Sequence, residues 1–331
     1  MTRVWWVQAS GVCSSVTTAE VPALLAGSDG FVWIDVEDVG EDTRSLLVGT
    51  LQVPERAVPD FLERNHIARI HRWPMGMFVG LHRPLRGESG HVHFLELDLL
   101  VGQRFVLTTH GPRNAAVPLE AMLTETTEVS ARLVGGRLTP RSPWALAYAV
   151  ISSVTNAMER MVNGFARDVG LLEQRVMASP DTEPPQEFLD ELFITRHALL
   201  TVQTMASQGA EVFARAIRLS DGELDTTDHQ HVDDLEDQYH RLWRIAHSQL
   251  AFLQGVTDFY RARNDTRMTI AGERLAVIAA VTLPVTAISS IVGMNVIVGD
   301  QTHWGLLITL LALMGGLSAW LLRWAHRQGW W

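Results

Sequence analysis

Over roughly the first 125 residues, short apolar runs alternate with turn residues: FVWIDVED, MFVGLHRPL, HVHFLELDLLVG and RFVLTTHGP. Two-residue alternation and β-branched content predict strands, with helices between them such as Val58 to Asn65, and hence an α/β or α+β domain over residues 1–135. After Ser142-Pro143 the period lengthens. The run WALAYAVISSVTNAMERMVNGFARDVGLLEQRVMA predicts a helix up to the break SPDTEPP, and a second helix follows from about Gln186 to Leu219, ended near Asp221 and Gly222. From about Thr227 there is no proline until Pro284. Val232, Leu235, Tyr239, Leu242, Ala246, Gln249, Leu253, Val256 and Tyr260 recur there at steps of three and four, the seam of a long helix packed on another. Continued to residue 292, such a helix is roughly 90 Å long at about 1.5 Å per residue. It reads as a stalk within a helical region covering residues 140–270.

The apolar pattern changes again near the C-terminus. Residues 275–294, LAVIAAVTLPVTAISSIVGM, carry no charge and are about long enough to cross a hydrocarbon core of roughly 30 Å. A second span of similar length runs from Trp304 to Trp324, and only Asn295 to His303 connects the two. The sequence therefore predicts a first transmembrane helix within residues 271–294, an outer loop at 295–303, a second helix at 304–324 and a basic tail at 325–331. Arg261, Arg263, Arg267 and Arg274 precede the hairpin and Arg323 and Arg327 follow it, whereas the loop has no Arg. This bias places both termini in the cytoplasm and the loop outside, in an inner or plasma membrane. Trp304, Trp320, Trp324, Trp330 and Trp331 sit where interfacial anchors belong. In the first span Thr282, Thr286, Ser289 and Ser290 share a face, while the second is almost wholly Leu, Ile, Ala and Gly. A hydroxyl stripe fits a helix lining a water-filled path, and it fits equally well hydroxyls bonded to their own backbone or packed between helices.

Composition narrows the function. The formal net charge of -10 argues against a nucleic-acid partner, which needs a basic surface to displace counterions. An acidic body attracts cations. The chain has no lysine, so Schiff-base chemistry and a P-loop lysine are excluded. A single cysteine, Cys13, makes no intrachain disulfide and no thiolate cluster, as expected of a reducing compartment. The start of the chain, MTRVWWVQASGVCSS, lacks the sustained apolar run of a signal peptide. A metal-dependent enzyme would draw on His91, His93, Glu96 and Asp98, or on His229 and His231 beside Asp233 and Asp234; His91 and His93 alternate as surface residues of a strand do, and no hydrolase or metalloprotease spacing accompanies either set, so no enzyme is expected.

Gly293, Met294 and Asn295 stand where the first span meets the outer loop. At this position the chain resembles the CorA family of divalent-cation (magnesium) channels, which carry Gly-Met-Asn between two C-terminal spans. Pro284 with Thr286, the segment DFYRARNDTRM, the run Asp234-Leu235-Glu236-Asp237 and the basic, Trp-terminated tail extend the resemblance over residues 140–331. It implies an α+β cytosolic domain, long stalk helices and a two-helix membrane hairpin, assembled as a funnel-shaped homopentamer in a prokaryotic membrane. It also implies a selectivity filter of Gly293, Met294 and Asn295, a pore face of Leu275, Ala279, Leu283, Thr286 and Ser290, and gating acids at Asp234 and Asp258. The partners expected are further copies of the chain and the lipid bilayer. No cofactor is expected beyond Mg2+ or another divalent cation, which is substrate and regulatory ligand.

The sequence departs from the family in two places. Val292 and Val296 flank the tripeptide where aromatics are usual, and Asp300 is the only acid of a loop that lacks Met-Pro-Glu-Leu. Two alternatives therefore stay open: a zinc transporter of the ZntB type, and a membrane-anchored sensor or scaffold that keeps the architecture without conducting.

Overall fold

The computed structural model describes residues 2–8, 10–87, 90, 92–177, 185–220, 222, 224–293 and 304–327. They fall into two compact units, Met1–Gln254 and Gly255–Trp331.

In the first unit, seven strands form one mixed sheet: β1 (Thr2–Val7), β2 (Cys13–Ser15), β3 (Phe31–Val36), β4 (Arg69–Trp73), β5 (Gly76–Arg86), β6 (Val92–Gly102) and β7 (Phe105–Thr109). Their order is β2-β1-β3-β7-β6-β5-β4, and only the β3–β7 pair is parallel. One face packs against α1 (Val21–Ala26), α2 (Glu41–Ser45) and α3 (Pro59–Leu62) with their connections. Ile34, Leu107, Leu100 and Phe78 there meet Val21, Leu47, Val58 and Phe61. The Phe61 and Phe78 rings meet edge-on at 4.8 Å, a geometry the ring quadrupoles favour. Towards the other face stand α4 (Leu119–Met122) and α5 (Thr124–Val134), tied to β5 by the buried Arg83–Glu125 ion pair at 2.8 Å. Both faces are thus covered, and β5 and β6 are buried along most of their length.

The helix expected at Val58 to Asn65 is shorter than its pattern. α3 ends at Leu62, preceded by a 3-10 turn at Glu55–Ala57. The reason is competition for its backbone groups from side chains distant in the sequence. The amide of Asn65 donates to both Glu96 carboxylate oxygens at 3.1 Å, and its carbonyl oxygen lies 2.8 Å from His82 Nε2. Its backbone is held by side chains of the sheet.

Three long helices follow: α6 (Pro143–Met177), α7 (Pro185–Ser220) and α8 (Thr226–Gly293). Of the seam residues in this unit, Val232, Leu235, Tyr239, Leu242, Ala246 and Leu253 are buried and Gln249 is half-buried. The Tyr239 ring stacks on Phe213 of α7 at 5.6 Å, and a Cβ on Gly209 would sit 2.4 Å from that ring, so glycine permits the close approach. Burial pushes the Tyr239 hydroxyl well above its ordinary pKa, and among the described residues it has no hydrogen-bond partner. An unsatisfied buried hydroxyl costs about 1–3 kcal/mol. Tyr239→Phe is therefore expected to raise the melting temperature of the purified protein; a lower melting temperature would show that the hydroxyl is satisfied.

The second unit contains the remainder of α8 and α9 (Trp304–Arg327). Both helices carry an 18-residue stretch apolar enough to cross a membrane, with mean hydropathy 1.8 and 1.4, of which 6 % is buried within the chain. Helix α8 continues through Pro284. Apolar side chains turned outward in this way require a lipid or protein neighbour.

Candidate functional site

Gly293 is the last residue of α8 and is exposed; Met294 and Asn295 lie outside the described residues. Leu275, Ala279, Leu283, Thr286 and Ser290 follow one another on α8 at steps of four, four, three and four. At about 100° per residue these positions fall within an arc of roughly 80°. All five are exposed in the single chain, Leu275 and Leu283 at 67 % each. One narrow arc of the helix thus carries both the apolar side chains and the hydroxyls expected there.

The hydroxyls themselves are locally engaged. Thr282 Oγ1 donates to the Ile278 carbonyl and Thr286 Oγ1 to the Thr282 carbonyl, both at 2.8 Å. A threonine bonded in this way spends its proton on the helix and keeps lone pairs on its outer side. Thr309 of α9 does the same with Gly305 at 2.7 Å. Back-bonding by itself therefore does not set the two helices apart. Their composition does: the apolar stretch of α8 carries Thr282, Thr286, Ser289 and Ser290, whereas α9 has only Thr309 and Ser318.

The two stalk acids differ in their surroundings. Asp234 accepts hydrogen bonds from Tyr148 Oη of α6 at 2.7 Å and from Gln238 Nε2 at 2.6 Å, and the Tyr148 ring stacks on His231 at 4.6 Å. Burial and then the Asp234 bond raise the Tyr148 pKa. The group borders a cleft of about 760 Å³ whose lining includes Glu128, Asp225, Asp228 and Arg241. Asp228 is raised above the usual carboxylate range by burial, although Ser142 Oγ donates to it at 2.5 Å. Asp258, in the second unit, is 60 % exposed and lies 3.7 Å from Arg261. Among the described residues, no three His, Cys, Asp or Glu side chains are grouped to hold a metal ion. Tyr148 as a partner of Asp234 left no sign in the sequence, because the two are 86 residues apart.

The burial of two polar groups in the sheet also escaped the sequence pattern. Asp35 gathers Arg3, Thr108 and His110, and β6 turns Glu96 and Asp98 inward beside His82. His229 and His231 each face an acid of their own helix, Asp233 at 3.7 Å and Asp228 at 3.6 Å. His91 lies outside the described residues.

A mixed-sheet body, long helices and two apolar C-terminal helices define a membrane-anchored protein of the two-span kind. The family model "CorA-like Mg2+ transporter protein" matches residues 28–327, and the chain belongs to that family. No curated protein matches the sequence. Among solved structures, the complete CorA magnesium transporter from Methanocaldococcus jannaschii is similar with a TM-score of 0.80 at 15 % identity, covering 100 % of this chain and 99 % of that one. The full-length CmaX protein is similar at 0.77 and 17 % identity, covering 99 % and 97 %. The ZntB cytoplasmic domain from Vibrio parahaemolyticus RIMD 2210633 is similar at 0.62 and 14 % identity, covering 80 % of this chain and 98 % of that domain. Identities this low establish a shared fold, and that fold includes the expected α+β body, long helices and apolar pair.

Proposed function

We propose that this chain is a divalent-cation channel that carries magnesium across a prokaryotic inner or plasma membrane. The observation that supports it best is the sequence Gly293-Met294-Asn295, which begins at the last residue of α8 and precedes the second apolar helix in the chain, inside a family match spanning 28–327. In this reading residues 1–135 and 140–270 are cytosolic body and stalk, both termini are cytoplasmic, and five copies surround the pore. The face of Leu275, Ala279, Leu283, Thr286 and Ser290 lines it, with rings of Leu283 as a hydrophobic constriction that gates by dewetting. At the outer mouth, amide and carbonyl oxygens around Asn295 hold the hydrated ion through its water shell, because Mg2+ gives up water reluctantly. Deeper along the path, Thr286 offers acceptor lone pairs to the water shell of a passing ion. The chain is a transporter and not an enzyme.

Asp234 and Asp258 serve as regulatory cation sites in this reading. Each needs further ligands from water or another copy, since its own surroundings supply hydrogen-bond donors to Asp234 and an Arg to Asp258. A second reading, zinc transport of the ZntB type, draws on the similarity to that cytoplasmic domain and on Val292 and Val296 beside the tripeptide.

Uptake into proteoliposomes of the purified protein, compared for Mg2+, Co2+, Ni2+ and Zn2+, separates these readings. Magnesium flux supports the channel, and zinc flux without magnesium flux moves the protein to the zinc branch. No flux of any of the four leaves a sensor or scaffold.

A further inference from the structure

The arc of α8 that carries Leu275, Ala279, Leu283, Thr286 and Ser290 does not begin at Leu275. Followed towards the start of the helix, the same steps of three and four reach Gly272, Met268, Asp265 and Arg261. The mean step from 261 to 290 is about 3.6 residues, the period of the α-helix itself, so the whole row stays within an arc of roughly 80°. Pro284 is the proline inside α8 and lies beyond Leu283, so no proline kink turns the row aside between Arg261 and the apolar stretch.

Charge is distributed unevenly about this arc. Between Gly255 and Gly293 the helix carries Asp258, Arg261, Arg263, Asp265, Arg267, Glu273 and Arg274. Only Arg261 and Asp265 lie on the arc; Asp258 is about 60° from its centre, and Arg263, Arg267, Glu273 and Arg274 are roughly 120–160° away. From Met268 to Ser290 the row is uncharged. At about 1.5 Å per residue, Arg261 lies about 21 Å before Leu275, where a guanidinium stays in water. Its side chain is exposed and lies 3.7 Å from the exposed Asp258. An ion pair of this kind is weak, so the charge of Arg261 remains felt in the solution beside it.

We propose that the ion path continues along α8 beyond the apolar stretch, and that Arg261, repeated in each copy, places a ring of fixed positive charge in it. The proposal rests on the channel reading, which supplies the axis that the arc faces. A straight helix whose residues 275–290 face that axis turns 261–272 towards it as well. Between the apolar stretch and the cytosol a cation then meets Asp265, which draws it in, and Arg261, which opposes it. The opposition is greater for a divalent than for a monovalent ion, since the energy scales with the product of the charges. Arg261 thereby restrains passage of the ion that the rest of the path admits.

The single cysteine of the chain allows a local test. Full-length protein carrying Cys13→Ser and Met268→Cys, reconstituted in liposomes, is treated with a cationic and an anionic methanethiosulfonate of similar size. Arg261→Gln is expected to raise the ratio of cationic to anionic modification rates at position 268 about tenfold, and Arg261→Lys to restore it. Ile270→Cys stands on the far side of α8, and both positions are exposed in the single chain; at 270 the same replacement is expected to change the ratio less than about twofold. Divalent-cation uptake is expected to rise about three- to tenfold in Arg261→Gln and to stay within about twofold in Arg263→Gln, across the helix. A thiol at 268 that neither reagent reaches overturns the proposal, as does an equal change of ratio at 268 and 270. Wild-type uptake with ratio and flux unmoved by Arg261→Gln overturns it alone, whereas no uptake by the wild type removes the channel reading and the proposal with it.

Discussion

Asn295→Ala is expected to bring divalent-cation uptake into proteoliposomes down to the level of empty vesicles. The side chain proposed to meet the hydrated ion is a neutral amide, whose oxygen accepts from the ion's water shell without the electrostatic trap of a carboxylate. In the proposed oligomer the substitution takes away every such acceptor at one depth, so a single change acts several times over. A loss of about a hundredfold or more separates this from a general effect on folding, provided the variant reconstitutes and melts like the wild type. Leu283→Ala acts in the opposite direction, raising flux by weakening the hydrophobic constriction. Uptake unchanged in Asn295→Ala would remove the tripeptide from the transport path and with it the main support for the channel reading.

Asp35→Ala is the substitution expected to damage the body most. Asp35 is fully buried on β3 and receives Arg3 Nη2 at 2.5 Å, Thr108 Oγ1 at 2.5 Å and His110 Nε2 at 2.9 Å. Trp33 Nε1 in turn donates to Thr108 Oγ1 at 3.1 Å, so the carboxylate anchors a chain of polar groups running across β3 and β7. Although burial raises its pKa, His110, Thr108 and Arg3 outweigh that effect and hold it below the usual carboxylate value. Removing one partner of a buried charged network leaves the others uncompensated, at about 3–5 kcal/mol. Denaturant unfolding of the soluble body within the full-length protein measures it; a change below about 1 kcal/mol would mean that the network adds little net stability. The sign with pH is the ordinary acidic one. A depressed folded pKa stabilises above the unfolded value near 4, and that contribution is lost as pH falls through the folded pKa.

Glu96 behaves in the opposite way to Asp35, although both are acids on strands of one sheet: burial pushes its pKa up to about 7. Asp35 has a guanidinium and an imidazole in contact, whereas the cations near Glu96 pair elsewhere. Asp35 and Glu37 in FVWIDVED, and Glu96 and Asp98 in HVHFLELDLLVG, occupy alternate positions, which on an antiparallel sheet normally marks a face open to water. Alternation reveals which side chains share a face, and leaves open whether a helix covers it. The helices covering Glu96 and Asp98 come from residues before 63, and those facing Asp35 come from beyond 120.

The same limit explains the shortened α3 and the setting of Asp234. Residues 58–65 have helical spacing, but Asn65 is taken by Glu96 and His82 from strands that begin more than ten residues later. Asp234 reads as a solvated helix acid, and its bond to Tyr148 depends on where α6 crosses α8.

What the sequence determined by itself is whatever depends on neighbours along the chain. Apolar length, charge bias and period give the two C-terminal helices, the seam from Val232 to Leu253 and the position of Gly293-Met294-Asn295, because helix geometry converts spacing directly into a shared face. Tertiary structure alone decided which polar residues are dry and which cation answers each acid. Desolvation and ion pairing act over a few ångströms in space, between residues that the chain keeps tens of positions apart.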